Sequence, residues 1–292
     1  MNSNNLSSAD APIAHQTGYF SSFDGLSLYY QHWWSEQVSS AIVVMVHGLG
    51  GHSDLFGNVV KTLAPQGYHL YALDLRGHGR SPGKRGHINR WLDFRHDVNS
   101  FWQYIIPQCP NLPQFMMGHS LGGTIVLDYV LHSPQTLEGI ILSNPAIGVV
   151  GVSPLKFFLG KLFSQIWSTF SQSTGISLEE SVHDPALIAH YKQDPLRHDL
   201  GTARLATEYI ATTNWIKAHS HQFNVPLLML QSGLDTVSPL ESSHRFFENV
   251  PVDDKTWKEY PQSYHEIYDD LEHQQVLADL SEWLKAHVTN LS

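Results

Sequence analysis

Short runs of apolar, often β-branched residues alternate along this chain with segments whose apolar residues recur every three or four positions. Residues 42–46, Ile-Val-Val-Met-Val, form an uninterrupted run that His47 and Gly48 end, which is typical of a strand buried on both faces. Further strands are predicted at residues 68–75, 115–117, 139–142, 225–231 and 256–260. Helices are predicted at residues 54–65, 91–105, 124–131 and 277–288. This alternation predicts an α/β fold with a mostly parallel central sheet flanked by helices.

The alternation breaks at residues 148–222, which contain no strand-like run. The stretch opens with apolar residues at helical spacing, namely Leu155, Phe158, Leu159, Leu162, Phe163, Ile166, Trp167 and Phe170. This helix either packs in the core of an inserted subdomain or lines a ligand site, and one helix can do both. We therefore predict a polar N-terminal segment at 1–17, a core at 18–147 and 223–292, and a helical cap, or lid, at 148–222.

The composition narrows the class of protein. The chain has 292 residues, of which 42% are hydrophobic, enough for one large core or a core with an insertion. Seventeen Lys and Arg against 27 Asp and Glu give a net charge of -10, which disfavours binding to nucleic acid. Cys109 is the only cysteine, so the chain can form neither an internal disulfide nor a cysteine-based zinc site.

The N-terminal sequence, the lengths of the apolar runs and the motifs indicate where the protein is located and whether it binds a metal or a cofactor. The first 18 residues are polar and contain no apolar stretch of the kind that a signal peptide needs. The longest early apolar run, residues 41–46, is far shorter than the roughly 18 residues that span a bilayer. These features predict a cytoplasmic protein. No His-Glu-x-x-His pattern is present, so we predict no metal and no cofactor, while the oligomeric state is left open.

Residues 118–123 read Gly-His-Ser-Leu-Gly-Gly and match the pattern Gly-x-Ser-x-Gly between a predicted strand and a predicted helix. In a sharp strand-to-helix turn the central residue takes a strained conformation, and flanking glycines avoid a steric clash. The Ser120 hydroxyl then stands at the carboxyl edge of the sheet, where free N–H groups of the following helix face a developing negative charge. The pattern predicts that Ser120 is a catalytic nucleophile.

A serine nucleophile needs a base, and in this context the acid and the base follow in the order Ser, Asp, His. Asp235 follows the predicted strand at 225–231, and His265 follows the strand at 256–260. Both therefore lie at the same sheet edge as Ser120. We predict that His265 takes the serine proton and later protonates the leaving alcohol. Asp235 would fix the tautomer of the imidazole and stabilise the imidazolium.

Two backbone donors must point at the oxygen on which negative charge develops in the transition state. The Leu121 N–H, directly after the nucleophile, is one candidate. The other is the Leu49 N–H, in the glycine-rich loop at residues 47–51 that follows the first buried strand. His47 is expected to brace this loop through hydrogen bonds rather than to transfer protons.

Together these residues resemble the monoacylglycerol lipase and lysophospholipase branch of the α/β-hydrolases, a group described with the serine aminopeptidase S33-like fold. The resemblance covers roughly residues 18–287. It rests on the segments at 47–53, 72–81, 85–87, 118–123, 233–235 and 265–266. It implies an α/β-hydrolase fold with a helical cap before the acid-bearing strand, lipid-like ester substrates, and contact of the cap with a membrane or micelle.

The resemblance implies a serine ester hydrolase that acts on monoacylglycerols or lysophospholipids through an acyl-enzyme intermediate. On this interpretation the apolar cap helix binds the acyl chain, through Phe158, Leu159, Leu162, Phe163 and Ile166. A transient peripheral contact with a membrane would follow from the same apolar face.

Other functions remain open on the same three residues. A small-ester esterase and an aminopeptidase or amidase are the alternatives within hydrolases, and a binding module without chemistry would be expected to lack a member of the triad. The sequence also departs from its relatives, since Gly51 stands where an acidic residue often precedes His52. Leu121 stands where prolyl aminopeptidases usually carry a bulky aromatic residue.

Overall fold

The computed structural model describes residues 12–133, 137–148, 164 and 166–289, in which an eight-stranded sheet carries helices on both faces. The strands are β1 (Ile13–Ser21), β2 (Ser27–Ser35), β3 (Ala41–Val46), β4 (Tyr68–Leu73), β5 (Gln114–His119), β6 (Gly139–Ser143), β7 (Ser171–Ser173), β8 (Leu200–Thr202), β9 (Leu227–Ser232) and β10 (Lys255–Tyr260). Strands β7 and β8 pair only with each other, and the main sheet has the order β1-β2-β4-β3-β5-β6-β9-β10.

The main sheet forms because its central strands are buried on both faces. All six residues of β3 are buried; Ile42 and Val44 belong to one apolar cluster and Val43 and Met45 to the other. Within this sheet the pairs β1–β2 and β2–β4 are antiparallel, and every other pair is parallel. The parallel strands therefore bring their carboxyl ends to one edge of the sheet.

Seven α-helices are described, together with short 3₁₀ turns at Ser53–Phe56, Ala64–Gln66, Ile106–Gln108, Leu178–Glu180 and Ser220–Gln222. The helices are α1 (Gly57–Leu63), α2 (Trp91–Ile105), α3 (Leu121–His132), α4 (Pro185–Gln193), α5 (Ala203–His219), α6 (Leu240–Asn249) and α7 (His273–Thr289). Helices α1 and α7 pack on one face of the sheet, and α2, α3 and α6 pack on the other. The predicted α/β fold, a mostly parallel sheet flanked by helices, is confirmed.

The hairpin of β1 and β2 is the main element that the sequence pattern did not predict. Residues 13–17 belong to β1, although their polar character had grouped them with the N-terminal segment. An outer strand covers the core with one face only, so its apolar residues do not form a continuous run. Tyr19 of β1, for example, is 57% exposed.

The stretch between β6 and β9 contains α4, α5 and the short pair β7–β8. The two strands escaped prediction because they are three residues long and mostly polar. Of the five predicted acyl-binding residues only Ile166 is described; Phe158, Leu159, Leu162 and Phe163 lie outside the described residues. Within the described part of the chain, no helix is both long enough and apolar enough to cross a bilayer.

Candidate active site

The turn between β5 and α3 holds Ser120 in a conformation that few residues adopt. Its backbone has φ 54° and ψ -120°, in the left-handed half of conformational space. The turn is tight, because a Cβ at Gly118 would lie 2.6 Å from the Gly122 carbonyl oxygen. Ser120 is 7% exposed and lines two cavities. This is the geometry that the Gly-x-Ser-x-Gly pattern predicts.

Asp235 and His265 follow the neighbouring parallel strands β9 and β10 and meet each other. The distance between His265 Nδ1 and Asp235 Oδ2 is 2.7 Å. The Asp235 side chain is fully buried, and its Oδ1 accepts hydrogen bonds from the Val237 N–H at 2.8 Å and the Ser238 N–H at 2.9 Å. His265 is 5% exposed and lines the same cavity as Ser120. The structure thus brings the three predicted residues to one edge of the sheet.

The surroundings of His265 favour its protonated form. Burial alone would lower the pKa of the imidazole, but the charge and the hydrogen bond of Asp235 outweigh burial, and Glu266 adds a further negative charge. The net result is a pKa above the ordinary value of histidine. An imidazole paired in this way can accept a proton at Nε2 while the carboxylate stabilises the resulting charge.

His119 lies beside the nucleophile, but its surroundings favour the neutral imidazole, whereas those of His265 favour the protonated one. Its ring centroid is 4.9 Å from that of His265, and its Nδ1 lies 3.2 Å from Ser143 Oγ. Burial and the neighbouring His265 lower the pKa of His119 to about 4. This imidazole is therefore neutral at neutral pH and is suited to hydrogen bonding rather than to charge stabilisation.

The two predicted oxyanion donors lie at the start of α3 and in the loop after β3. That loop approaches the nucleophile closely, since a Cβ at Gly48 would be 3.0 Å from Ser120 Cβ. Across the described residues, neither the Leu49 N–H nor the Leu121 N–H donates a hydrogen bond to a protein acceptor. Both residues line the cavity that Ser120 also lines. Two free donors beside a serine can stabilise an oxyanion.

His47 braces the loop that carries Leu49, in agreement with the sequence-based expectation. Its Nδ1 is 2.8 Å from the Gly48 carbonyl oxygen, and its Nε2 accepts a hydrogen bond from the Leu75 N–H at 3.0 Å. Burial lowers the pKa of His47 to about 3, so the ring stays neutral. A neutral ring can accept at Nε2 while it donates at Nδ1, and it thereby links the loops that follow β3 and β4.

Asn144, directly after β6, is a structural residue of the site that sequence reasoning missed. Its side-chain amide donates to the His265 carbonyl oxygen at 2.7 Å and to Ser232 Oγ at 2.9 Å, and its Oδ1 accepts from the Ser232 N–H. Asn144 is fully buried. It ties the loop of His265 to the end of β9, and only its position after a strand at the same sheet edge could have suggested this.

Ser120 and Leu49 stand where two cavities of different character meet. The larger, about 1110 Å³, is mostly apolar and is lined by residues that include Leu121, Leu205 and Ile166. The smaller, about 230 Å³, also has apolar residues such as Leu55 and Phe56 in its wall. It differs from the larger one because it contains His265 and a set of charged residues, and we call it the polar cavity for that reason. The predicted residue Ile166 is 79% exposed and lies at the apolar cavity.

The polar cavity was not predicted. Its charged and tyrosine side chains are Tyr191, Lys192, Asp194, Arg197, Asp199, Glu266, Tyr268 and Asp269. Glu266 follows His265 directly and was part of a recognised motif, but nothing in the sequence pairs it with Arg197. No group of three His, Cys, Asp or Glu side chains in the described residues has an arrangement that could hold a metal ion.

Comparisons with known proteins show which proteins this chain is similar to. Residues 37–272 match a family model described as serine aminopeptidase, S33. A monoacylglycerol lipase from Mycolicibacterium smegmatis is 30% identical over 276 residues, which cover 92% of this chain and 96% of that protein. A crystal structure of Paleococcus ferrophilus monoacylglycerol lipase matches with a TM-score of 0.78 and 30% identity, covering 89% of this chain and 99% of the other. A soluble variant of the Saccharomyces cerevisiae monoglyceride lipase, bound to a substrate analog, has the same fold, with a TM-score of 0.83 at 23% identity over 92% of this chain and 94% of its own.

Proposed function

Because this chain belongs to the serine aminopeptidase S33 family of α/β-hydrolases and is a serine ester hydrolase of the monoglyceride lipase type, we propose that it hydrolyses monoacylglycerols. The observation that carries the choice of substrate is the meeting of an apolar cavity and a polar cavity at Ser120. An ester with one acyl chain and a small polar alcohol is divided in the same way. The carbonyl carbon would lie at Ser120, the chain in the apolar cavity and the alcohol in the polar one.

The proposed chemistry follows from the geometry of the site. His265 takes the proton of the Ser120 hydroxyl as its oxygen attacks the ester carbonyl, and Asp235 stabilises the imidazolium that forms. The N–H groups of Leu49 and Leu121 stabilise the oxyanion. His265 then protonates the departing alcohol, and water hydrolyses the acyl-enzyme in a second cycle of the same steps. No metal or cofactor is needed for this reaction.

We extend the proposal to the division of the chain, with residues 148–222 as a cap on a core of residues 18–147 and 223–292. Support comes from hydrogen bonds between backbone groups of the two parts, in which the His198 N–H donates to Gly50 O at 3.1 Å and the Thr202 N–H to Gly86 O at 3.0 Å. Exposed Ile166 at the mouth of the apolar cavity supports a peripheral contact of the cap with lipid, through which a monoacylglycerol would enter.

The experiment is a substrate screen of the wild-type protein and the Ser120→Ala variant. We expect turnover of 1-monolauroylglycerol, faster cleavage of nitrophenyl dodecanoate than of nitrophenyl acetate, and labelling by a fluorophosphonate, all lost in Ser120→Ala. Ser281→Ala, on the surface of α7, is the control and should behave as wild type.

Each contrary outcome would contradict a different part of the proposal. Activity retained in Ser120→Ala would remove the nucleophile from the proposal. A preference for the acetate would indicate a small-ester esterase, and cleavage of aminoacyl-naphthylamides without cleavage of monolauroylglycerol would indicate an aminopeptidase.

A further inference from the structure

We propose that Arg197 recognises the alcohol half of the substrate and selects an uncharged head group that carries free hydroxyls, an inference that rests on the proposed ester hydrolysis at Ser120. Arg197 lies in the stretch between β6 and β9, outside the strands and loops that carry Ser120, Asp235 and His265. It lines the polar cavity together with Ser120 and His265. Its role would be in specificity and not in the acyl-transfer steps themselves.

The guanidinium of Arg197 is held on two sides. Its Nη2 donates to Glu266 Oε1 at 3.0 Å, and its Cζ lies 4.3 Å from the centroid of the Tyr191 ring, within the range of a cation–π contact. Tyr191 is fixed in turn, because its hydroxyl donates to Asp269 Oδ2 at 2.7 Å. The Arg197 side chain is 13% exposed. A group ordered in this way loses little conformational entropy when a ligand binds.

One end of this guanidinium has no partner. Nη1 is buried, and among the described residues no group accepts a hydrogen bond from it. A buried charged donor without an acceptor destabilises a folded protein, so its presence calls for an explanation. A hydroxyl oxygen of an alcohol esterified at Ser120 would supply that acceptor once a rotation of the guanidinium turns Nη1 towards the cavity, because Nη1 has almost no accessible surface in the free protein.

The charges around Arg197 favour a neutral alcohol over a phosphodiester. Besides its histidines and its two tyrosines, the cavity has four carboxyls and two cations as ionisable side chains, namely Asp194, Asp199, Glu266, Asp269, Lys192 and Arg197. Burial opposes ionisation of Glu266, but the Arg197 guanidinium outweighs it and holds the pKa of Glu266 at about 2. Arg197 is therefore already neutralised, and a phosphate would add negative charge beside a surplus of carboxyl groups.

A hydroxyl fits the same surroundings better, because it can accept from Arg197 and donate to a carboxylate at once. Asp269, whose pKa burial raises to about 6, offers a second group that can exchange roles between donor and acceptor. A glycerol moiety with two free hydroxyls is thus the chemical class that the cavity suits.

The test compares two esters of the same acid, 1-monolauroylglycerol and methyl laurate, of which only the first carries hydroxyls. In Arg197→Met we expect kcat/KM for monolauroylglycerol to fall about 10- to 100-fold, as for the loss of a charged hydrogen bond. The value for methyl laurate should stay within about threefold. Arg197→Lys should recover part of the loss. Arg95→Met, which removes an arginine from a similar half-buried ion pair with Asp128, is the matched control.

A second measurement isolates binding from chemistry. The ether 1-O-dodecylglycerol has no ester to cleave, and its inhibition constant against methyl laurate should rise in Arg197→Met by a similar factor. If Arg197→Met fails to fold because Glu266 is left unpaired, the Arg197→Met/Glu266→Gln variant removes both charges and is measured instead.

The outcomes separate this inference from the proposed function. Equal losses on both esters would mean that Arg197 acts through His265 and not on the head group, and an unchanged inhibition constant would say the same. Faster wild-type turnover of lauroyl lysophosphatidylcholine than of monolauroylglycerol would overturn the preference for a neutral alcohol. Wild-type cleavage of methyl laurate without cleavage of monolauroylglycerol would refute the proposed substrate, and the role of Arg197 with it.

Discussion

Replacement of Gly122 by alanine tests how tightly the turn around Ser120 is tied to the end of β3. A Cβ at position 122 would lie 2.0 Å from the Val46 carbonyl oxygen and 2.6 Å from the His47 carbonyl oxygen. Both are backbone atoms, so no side-chain rotation relieves the clash. To reach the 3.4 Å at which ordinary contact begins, α3 and β3 must separate by about 1.4 Å.

The structural cost of this separation can be converted into measurable quantities. Overpacking a well-packed interior costs about 1–3 kcal/mol in the free energy of unfolding. For a chain of this size each kcal/mol lowers Tm by about 2–4 °C, so Tm should fall by about 2–12 °C. The same movement displaces the Leu49 loop from Ser120, and a misplacement of about 1 Å can cost about 100-fold in rate. We therefore expect kcat/KM for nitrophenyl dodecanoate to fall about 100-fold.

Gly57→Ala is the matched control within the same chain. A Cβ at position 57 meets nothing within 4 Å, and the backbone there is helical, with φ -52°. Alanine should leave Tm unchanged or raise it, by up to about 1 kcal/mol of stability, with unchanged kinetics. Thermal unfolding followed by circular dichroism and steady-state kinetics measure both variants. If Gly122→Ala melts with the wild type and keeps kcat/KM within about threefold, the packing argument is wrong.

The remaining predictions concern ionisable groups. Burial opposes a charge on His52, but contacts with carboxylates, Asp194 among them at 2.7 Å, raise its pKa above the ordinary value. The ion pair between protonated His52 and Asp194 therefore stabilises the fold at acid pH, and this stabilisation is lost as pH rises through the pKa of His52. Asp194→Asn should consequently lower Tm more at acid than at alkaline pH. Glu266→Gln removes a negative charge that raises the pKa of His265, so the acid limb of kcat/KM should move to lower pH. Asp235→Asn should lower kcat by about 10,000-fold, measured on nitrophenyl dodecanoate, with little change in unfolding.

Contrary results are equally specific. If Asp194→Asn lowers Tm by the same amount at every pH, the protonation of His52 does not contribute to its contact with Asp194. If the acid limb of the pH profile of kcat/KM stays in place or moves to higher pH in Glu266→Gln, the electrostatic account of the His265 pKa is wrong. A modest loss in Asp235→Asn would mean that another group orients the imidazole.

The parts of the fold that the sequence predicted are those whose signal is local. The helix predicted at residues 91–105 is α2, with the same bounds, because its buried residues repeat along one face. The run at 42–46 lies within β3, because a strand covered on both faces must be apolar throughout. The nucleophile turn was predictable for a similar reason, since its glycines and the flanking strand and helix are adjacent in sequence.

The features that escaped prediction depend on contacts between distant segments. Asn144 supports His265 from 121 residues away, and Arg197 meets Glu266 from 69 residues away. The outer hairpin packs Phe20, Leu28 and Tyr30 into the core, but polar residues interrupt its apolar ones, so the sequence shows no clear strand period. The short pair β7–β8 is held by backbone pairing between mostly polar residues. A polar residue that packs against another polar residue has no one-dimensional signature, so the polar cavity could not be read from the chain.

The residues proposed to carry out the reaction and those proposed to contact the alcohol come from different parts of the chain. The proposed nucleophile, acid, base and oxyanion donors all lie in the loops, or at the helix start, that follow strands of the main sheet. Tyr191 and Arg197, by contrast, reach the polar cavity from between β6 and β9. Substitutions on the sheet loops should therefore impair every ester alike, because they alter the reacting atoms. Substitutions at Tyr191 or Arg197 should change the ratio between esters with different alcohols, because they alter groups that the leaving alcohol would contact. A chain built in this way can change its alcohol preference without disturbing the sheet that positions the chemistry.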